Sequence, residues 1–481
     1  MKRQRIRAIL NRRRLAAGVA GLAVMAAPAM AAAQDQPTPA GPAAFGNYLA
    51  TTPSLLGDMA GLRPWLAQYG ATLSLTETSE ILGNLTGGTR RGFEYDGLTT
   101  AIFQLDTQKA FGWWGGTFNA SALQIHGRNL RADNLDNLQT ESGIEADTGT
   151  RLWELWYQQQ FWNGRADLKI GQQSIDQEFM VTSNGLYFLN AALGWPALPA
   201  LDIPAGGPAY PLSAPGVRLR AHPTPNLTVL AGVFSGSPSP DNAIADPQLA
   251  NSSGTSFPVD NGVLAIAELQ YTTQAVGDMV MPGDRQALPG TYRLGAWYDS
   301  EKFADYRYDN TGLPLASPVS TGIPRIHGGD YGFYAVADQM VWQQADDSGH
   351  NLNLFARLMG TPDTDRNLVD FALNAGLTLH EPLPGRANDT FGVGMGYTHV
   401  SGRVAGYDRD DAAFNPGTFW PTQSGETFIE ITYQAQVTPW LQLQPDFQYF
   451  FNPGGGIANP NQPNRKVEDE AILCVRANIT F

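Results

Sequence analysis

The chain has 481 residues, 45 of them acidic against 31 basic, with a formal net charge of −14, 10% aromatic residues and one cysteine. So acidic a balance excludes a phosphate-binding surface of clustered Lys and Arg, and nucleic acid is not an expected partner. A lone thiol, Cys474, excludes an intramolecular disulfide and a cysteine-rich metal site.

Lys2, Arg3, Arg5, Arg7 and Arg12 to Arg14 form a basic start, followed by an apolar run from Leu15 to about Ala29 and then Ala31-Ala32-Ala33. That order predicts a secretory signal peptide over residues 1–33. The run Arg12-Arg13-Arg14 also allows a twin-arginine leader. Removing 1–33 takes away seven of the 31 basic residues and leaves 24 against 45 acidic, a net charge of −21 on 448 residues. Residues 34–70 read as a lead-in. Pro37, Pro39, Pro42 and Pro53 mark a flexible arm. Leu55–Tyr69 then spaces Leu56, Met59, Leu62, Trp65 and Leu66 along one side of a short amphipathic helix. No later stretch is long and apolar enough for a spanning helix. An exported chain of this kind is periplasmic, secreted, or an outer-membrane barrel.

From residue 71 onward the pattern has period two. Strands are expected at 71–83, 98–109, 116–126, 150–161, 166–173, 216–222, 227–234, 263–271, 290–299, 330–342, 351–360, 370–379, 390–400, 427–437, 441–451 and 471–481. The last strands are the clearest: Leu473, Val475, Ala477, Ile479 and Phe481 alternate with Cys474, Arg476, Asn478 and Thr480. Most of these strands match the 9–11 residues that cross a bilayer on a tilt. Connections mostly alternate short (162–165, 223–226, 438–440) and long (127–149, 174–215, 401–426), as the periplasmic turns and outer loops of a membrane barrel do. The stretches 272–289 and 361–369 fit that alternation less well. Trp113, Trp114, Trp153, Trp156, Trp162, Trp297, Trp342, Trp420 and Trp440 fall within or beside strand ends, where aromatic girdles suit the headgroup level. Phe481 closes the final strand. The predicted fold is all-β: a transmembrane antiparallel β-barrel of about 16 strands over residues 71–481, in the outer membrane, with a short N-terminal helical lead-in. A barrel of that size is too wide for side chains to fill and leaves an aqueous channel.

Function then depends on the inward face. With the apolar residues toward lipid, parity puts Asp106, Glu154, Glu268, Asp338, Glu430 and Asp446 inside, together with Arg218, Arg220, Arg293, Arg357 and Arg476. Six acids against five bases form no single-charge ladder, so the lumen reads as neither an anion-specific nor a strongly cation-specific pore. Arg218 and Arg220, two residues apart, share one face and can donate several hydrogen bonds to hydroxyl groups. The connection 174–215 is the third long loop and is unusually apolar, with Phe179, Leu186, Tyr187, Phe188, Leu193, Trp195 and Leu198. It is expected to pack against the inner wall or a neighbouring subunit. The candidate pore-lining residues are Arg218, Arg220, Glu154, Arg293, Asp338, Arg357 and Glu430 on the wall, and Tyr187, Phe188 and Trp195 on the loop. The six histidines fall in no nucleophile or metal motif. No catalytic residue, metal or cofactor is expected.

The run Ala120-Ser121-Ala122-Leu123-Gln124-Ile125-His126-Gly127-Arg128-Asn129-Leu130 resembles the OprB-like carbohydrate-selective porins. So do Arg151-Leu152-Trp153-Glu154-Leu155-Trp156, Phe188-Leu189-Asn190, Gly194-Trp195-Pro196, Ala214-Pro215-Gly216-Val217-Arg218 and Gln434-Ala435-Gln436-Val437-Thr438-Pro439-Trp440. The resemblance implies a sixteen-stranded barrel that passes glucose and related sugars by diffusion through a constriction lined with arginine and carboxylate. Sugars and outer-membrane lipid are then the expected partners, with monomer and homotrimer both open. The alternative is a general diffusion porin for small hydrophilic solutes with no sugar preference.

Overall fold

In the computed structural model, residues 51–241, 244–273, 288–345 and 347–481 are described. The expected leader at 1–33, most of the arm after it and the centre of the connection 272–289 lie outside the described residues.

Sixteen antiparallel strands close into one barrel. They are β1 Ala71–Gly88, β2 Gly92–Asp106, β3 Gly116–Gly127, β4 Gly149–Phe161, β5 Ala166–Gln173, β6 Ala214–Thr224, β7 Leu227–Ser235 and β8 Val263–Thr272. There follow β9 Gly290–Asp309, β10 Pro324–Gln344, β11 Asp347–Gly360, β12 Val369–His380, β13 Thr390–Val400, β14 Gly425–Thr438, β15 Leu441–Phe451 and β16 Glu468–Thr480. Each strand pairs with its neighbours in sequence, and β1 closes the ring on β16, with Thr76 opposite Thr480 and Ile81 opposite Val475. Closure is what hydrocarbon demands, because it leaves no sheet edge with unpaired N–H and C=O groups. Among the described residues no helix is long and apolar enough to cross a membrane; the strands do the crossing.

All sixteen expected strands are present, and 166–173, 390–400 and 441–451 agree at both ends. The largest differences have local causes. β2 starts at Gly92 and stops at Asp106 instead of spanning 98–109, because residues 107–111 turn into a short helix. The Asp106 carboxylate caps that helix, accepting the N–H groups of Gln108 and Lys109 at 2.8 and 3.2 Å. Asp106 therefore sits at the barrel rim and not along the lumen. β9 and β10 have 20 and 21 residues; at about 3.3 Å per residue they reach roughly 65 Å and rise well above a bilayer. The lead-in helix is shorter than expected, Leu62–Gln68. It is tied to the closing seam: Leu55 N–H donates to the Thr480 carbonyl at 2.8 Å, and Arg63 donates to the Phe481 carbonyl.

Burial along the strands is inverted relative to a soluble sheet. Outward Ile81, Ile170, Val233, Leu294, Phe333 and Val475 are exposed, while inward Glu80, Arg218, Asp338, Arg357, Glu430 and Cys474 are buried. Exposed Phe111, Trp113, Trp114 and Trp162 band the end that carries Phe481, and Phe93, Tyr95 and Tyr298 band the other. Three of the tryptophans expected at membrane interfaces point inward instead: Trp153 and Trp297 are almost fully buried, and Trp156 lies under Lys169 on the inner wall. For Trp153 the cause is a bulge. Ser121 faces Glu154 while Ala122 faces Leu152, so Trp153 is the extra residue and the alternation slips by one.

Candidate functional site

Two outer loops, 128–148 between β3 and β4 and 174–213 between β5 and β6, fold back into the lumen. The apolar content of 174–213 explains its course. Phe179, Phe188, Leu189, Leu193, Trp195 and Leu198 are buried in one cluster with the wall residues Leu230, Tyr334, Phe355 and Phe428. Each such side chain gains about 1.5–3 kcal/mol by leaving water. Phe188 packs on Phe355 with ring centroids 5.6 Å apart. Trp195 is buried and donates its indole N–H to the Gly206 carbonyl at 2.9 Å.

Inward-pointing wall carboxylates receive the N–H groups that these loops would otherwise bury unpaired. Glu154 accepts from Ser174 N–H at 3.1 Å, and Glu268 from Met180 N–H at 2.8 Å. Asp338 accepts from the Thr182 hydroxyl at 2.6 Å and the Asn184 N–H at 3.2 Å, and also pairs with Arg293 at 2.7 Å. Glu430 accepts from the N–H groups of Leu189 and Asn190 at 2.5 and 3.2 Å. Glu426 does the same for the other loop, at Leu138 and Gln139, 2.7 and 2.8 Å. The two loops then bond each other, Gly143 N–H to the Leu189 carbonyl at 2.7 Å and Ala191 N–H to the Thr140 carbonyl at 2.9 Å.

Arg357 serves the loop carbonyls. Fully buried, it donates to Met180 and Gly194 at 2.8 Å each, and to Asn374 Oδ1 at 2.8 Å. Met180 has φ 61°, a left-handed conformation that costs a non-glycine residue about 1–3 kcal/mol. Glu268 on its N–H and Arg357 on its C=O hold it there.

A charged strip runs across β4, β5 and β6. Arg218 donates to Asp167 and, at 3.0 Å, to Glu178 Oε1. Lys169 also donates to Glu178 and stands 4.6 Å over the Trp156 ring. Arg220 bonds Asp167 Oδ2 at 2.8 Å, yet its side chain remains 36% exposed to the lumen, whereas that of Arg218 is 1% exposed. Burial would raise the Glu178 carboxyl, but Lys169 and Arg218 outweigh it and hold the group at about 2. Asp176, two residues earlier on the loop, has no cation against it among the described residues. Burial pushes it up to about 7, although it accepts from the Ser174 hydroxyl and the Tyr210 N–H.

Tyr187 is the loop aromatic left partly open. It borders a cavity of ≈ 470 Å³ lined also by Asn184, Met340, Asn353 and His380. Its ring meets His380 edge-on, centroids 5.0 Å apart.

The ten candidate residues thus fall into separate groups. Glu154, Asp338, Glu430, Arg293 and Arg357 engage loop backbone or one another; Phe188 and Trp195 pack; Arg218 is enclosed by acids. Arg220 and Tyr187 keep surface toward open space. Sequence reading passed over Asp167, Lys169, Glu178, Glu426 and His380. Alternation in 166–173, with Leu168 and Ile170 outward, was the available signal for Asp167 and Lys169. Nothing in the sequence could have matched Glu178 with Arg218.

Comparison with known proteins agrees in sequence and in shape. The family described as "Carbohydrate-selective porin, OprB family" matches residues 90–481. Porin B of Pseudomonas aeruginosa is 27% identical over 426 residues, 83% of this chain and 87% of the relative. The high-pH structure of Pseudomonas putida OprB superposes with a TM-score of 0.76 at 25% identity, covering 90% of this chain and 100% of that one.

Proposed function

The chain belongs to the OprB family of carbohydrate-selective porins, a sugar-selective channel of the outer membrane, and we propose that glucose-like sugars cross it along the strip that ends at Arg220 and through the cavity beside Tyr187. The observation that carries this reading is the contrast between Arg218 and Arg220. One guanidinium is locked among Asp167 and Glu178, while the other shares Asp167 and keeps donors turned to the lumen.

Transport on this reading is passive. A sugar descending its gradient exchanges water hydrogen bonds for donors on Arg220 and for amide and hydroxyl groups of the wall, and lays an apolar ring face against Tyr187. Affinity stays low, because a tight site would stall flux. The tethered loops supply the rigidity: a constriction whose wall moved would lose its selection by size and hydrogen-bond pattern. The barrel is a channel; nothing in this mechanism requires a bond to be made or broken.

Single-channel current in planar bilayers, titrated with glucose, tests the reading. Glucose should reduce ion current in the wild-type channel, and Arg220→Gln should weaken that block. Equal block by amino acids of the same size would favour a general diffusion porin instead.

A further inference from the structure

Beyond the outer aromatic band, β9 and β10 continue together as a two-stranded extension. Its register breaks where Pro324 pairs with Asp309 but Ile326 pairs with Ala304, so residues 305–308 of β9 stand against Arg325 alone. Bulges of this kind re-aim side chains. This one brings Asp305 beside His327 of β10, with Oδ2 3.0 Å from Nε2. The connection 361–368 between β11 and β12 adds Asp365, whose Oδ2 lies 3.6 Å from His327 Nδ1. Tyr306 N–H donates to the Asp365 carbonyl at 3.1 Å and fixes that connection against the bulge.

Each carboxylate is held by one oxygen and turns the other toward the imidazole. Asp305 Oδ1 accepts from the N–H groups of Arg307 and Tyr308 at 2.8 and 2.9 Å. Asp365 Oδ1 accepts from Arg366 Nε at 2.8 Å. Outer partners of this sort orient the ligands of metal sites. The Asp305 side chain is 1% exposed, that of His327 16% and that of Asp365 23%, so the group has a closed inner side and a face open to water. At 3.6 Å the contact between Asp365 and His327 is too long for a hydrogen bond. Charge favours a cation as well: Asp305, Asp363, Asp365 and Asp410 outnumber Arg307, Arg366 and Arg403 around the group.

We propose that Asp305, His327 and Asp365 bind a divalent transition-metal ion, with zinc the best match to the donor set. One donor atom from each residue lies within 4.8 Å of the other two. Bonds of about 2.0–2.2 Å around Zn²⁺ set tetrahedral donors about 3.4 Å apart, so a small inward movement of Asp365 closes the site and water completes it on the open face. An imidazole nitrogen between two carboxylates suits such an ion and not calcium or magnesium, which take oxygen. The bound ion cross-links the β9–β10 extension to the β11–β12 connection at the outer mouth. It does so on strands other than β4, β5 and β6, which carry the charged strip. The three ligands come from separate segments, which is why no local histidine motif marks them.

Calorimetric titration of the purified, chelator-treated barrel with Zn²⁺ tests the site. The wild-type protein should take up one Zn²⁺ per chain, and excess Ca²⁺ should not displace it. Asp305→Asn, His327→Gln and Asp365→Asn should each weaken binding by at least about tenfold, since even the outer partners of a metal ligand carry about 10–100-fold. His350→Gln, at the opposite mouth, should bind as wild type does. Zn²⁺ should also slow hydrogen exchange of the 361–368 amides in the wild type and leave it unchanged in Asp365→Asn. Heat-modifiable migration confirms that each variant has a folded barrel; Asp365, on the open face, is the position where substitution disturbs the barrel least. Absence of stoichiometric uptake by the wild type, equal affinity in the folded ligand variants, or displacement by Ca²⁺ would each overturn the proposal.

Discussion

Arg357 donates from inside the barrel wall to the main-chain carbonyl of Gly194 at 2.8 Å, across 163 positions of sequence. With Glu430 on the Leu189 N–H, it shows the principle of the lumen: wall charges satisfy the backbone of a loop that has been drawn into the pore.

Arg357→Ala should therefore act on the loop before it acts on sugar. It leaves the carbonyls of Met180 and Gly194 buried without their donor, a loss of about 2–4 kcal/mol. A lower unfolding midpoint in detergent, together with raised and noisier single-channel conductance, is the expected result. Wild-type conductance with wild-type stability would show that the loop is held by packing alone.

Glu430→Ala and Glu430→Gln should differ. The alanine variant orphans two buried N–H groups, at about 1–3 kcal/mol each. The glutamine variant keeps one carbonyl oxygen to accept and should fall between it and wild type. Limited proteolysis within 174–213 should rank the three proteins in that order.

Arg218 and Arg220 should separate stability from selection. Arg220→Ala removes a half-open donor and should weaken glucose block roughly tenfold, the equivalent of one charge-assisted hydrogen bond, with little change in melting. Arg218→Ala uncovers Asp167 and Glu178 in a buried site and should destabilise the fold. The double variant should lose both. Glucose titration of ion current and thermal denaturation, measured on the same preparations, distinguish them.

The inward loop should also respond to pH, with opposite signs at two neighbouring acids. Asp176 is raised to about 7, above its unfolded value near 3.9. Its folded form binds the extra proton, so its contribution to stability is full below about 4 and is lost as pH rises to about 7. Glu178 is lowered to about 2; its contribution is present above about 4.3 and is lost only as pH falls toward 2. Hydrogen exchange at the 174–213 amides should quicken between pH 4 and 7, after correction for intrinsic rates. Asp176→Asn should abolish that dependence, and an unchanged profile in that variant would place its origin elsewhere.

Much of the architecture is legible in the amino-acid sequence. Period-two alternation in segments of membrane-crossing length, such as 390–400 and 441–451, is a local property: each residue's face follows from its neighbour's, and the solvent on either side selects apolar or polar. The face taken by each side chain followed where the alternation was unbroken. It failed at Trp153, because a bulge is set by how β3 meets β4 and not by either strand alone. The apolar character of 174–213 likewise announced that the loop must leave water.

What the sequence could not determine is which charges were already spent. Glu154, Asp338, Glu430 and Arg357 read as lumen-lining because parity points them inward, and inward they point. Only the tertiary structure brings Leu189, Thr182, Ser174 and Met180 across to meet them, through contacts 20 to 241 residues apart. Hydrogen-bond satisfaction in a buried space is a non-local condition, decided by how one particular loop fills one particular barrel. The sequence by itself determined that a closed membrane barrel would form and which side chains would face its lumen. The folded chain decided which of those side chains hold the loops and which, like Arg220, stay open to the channel.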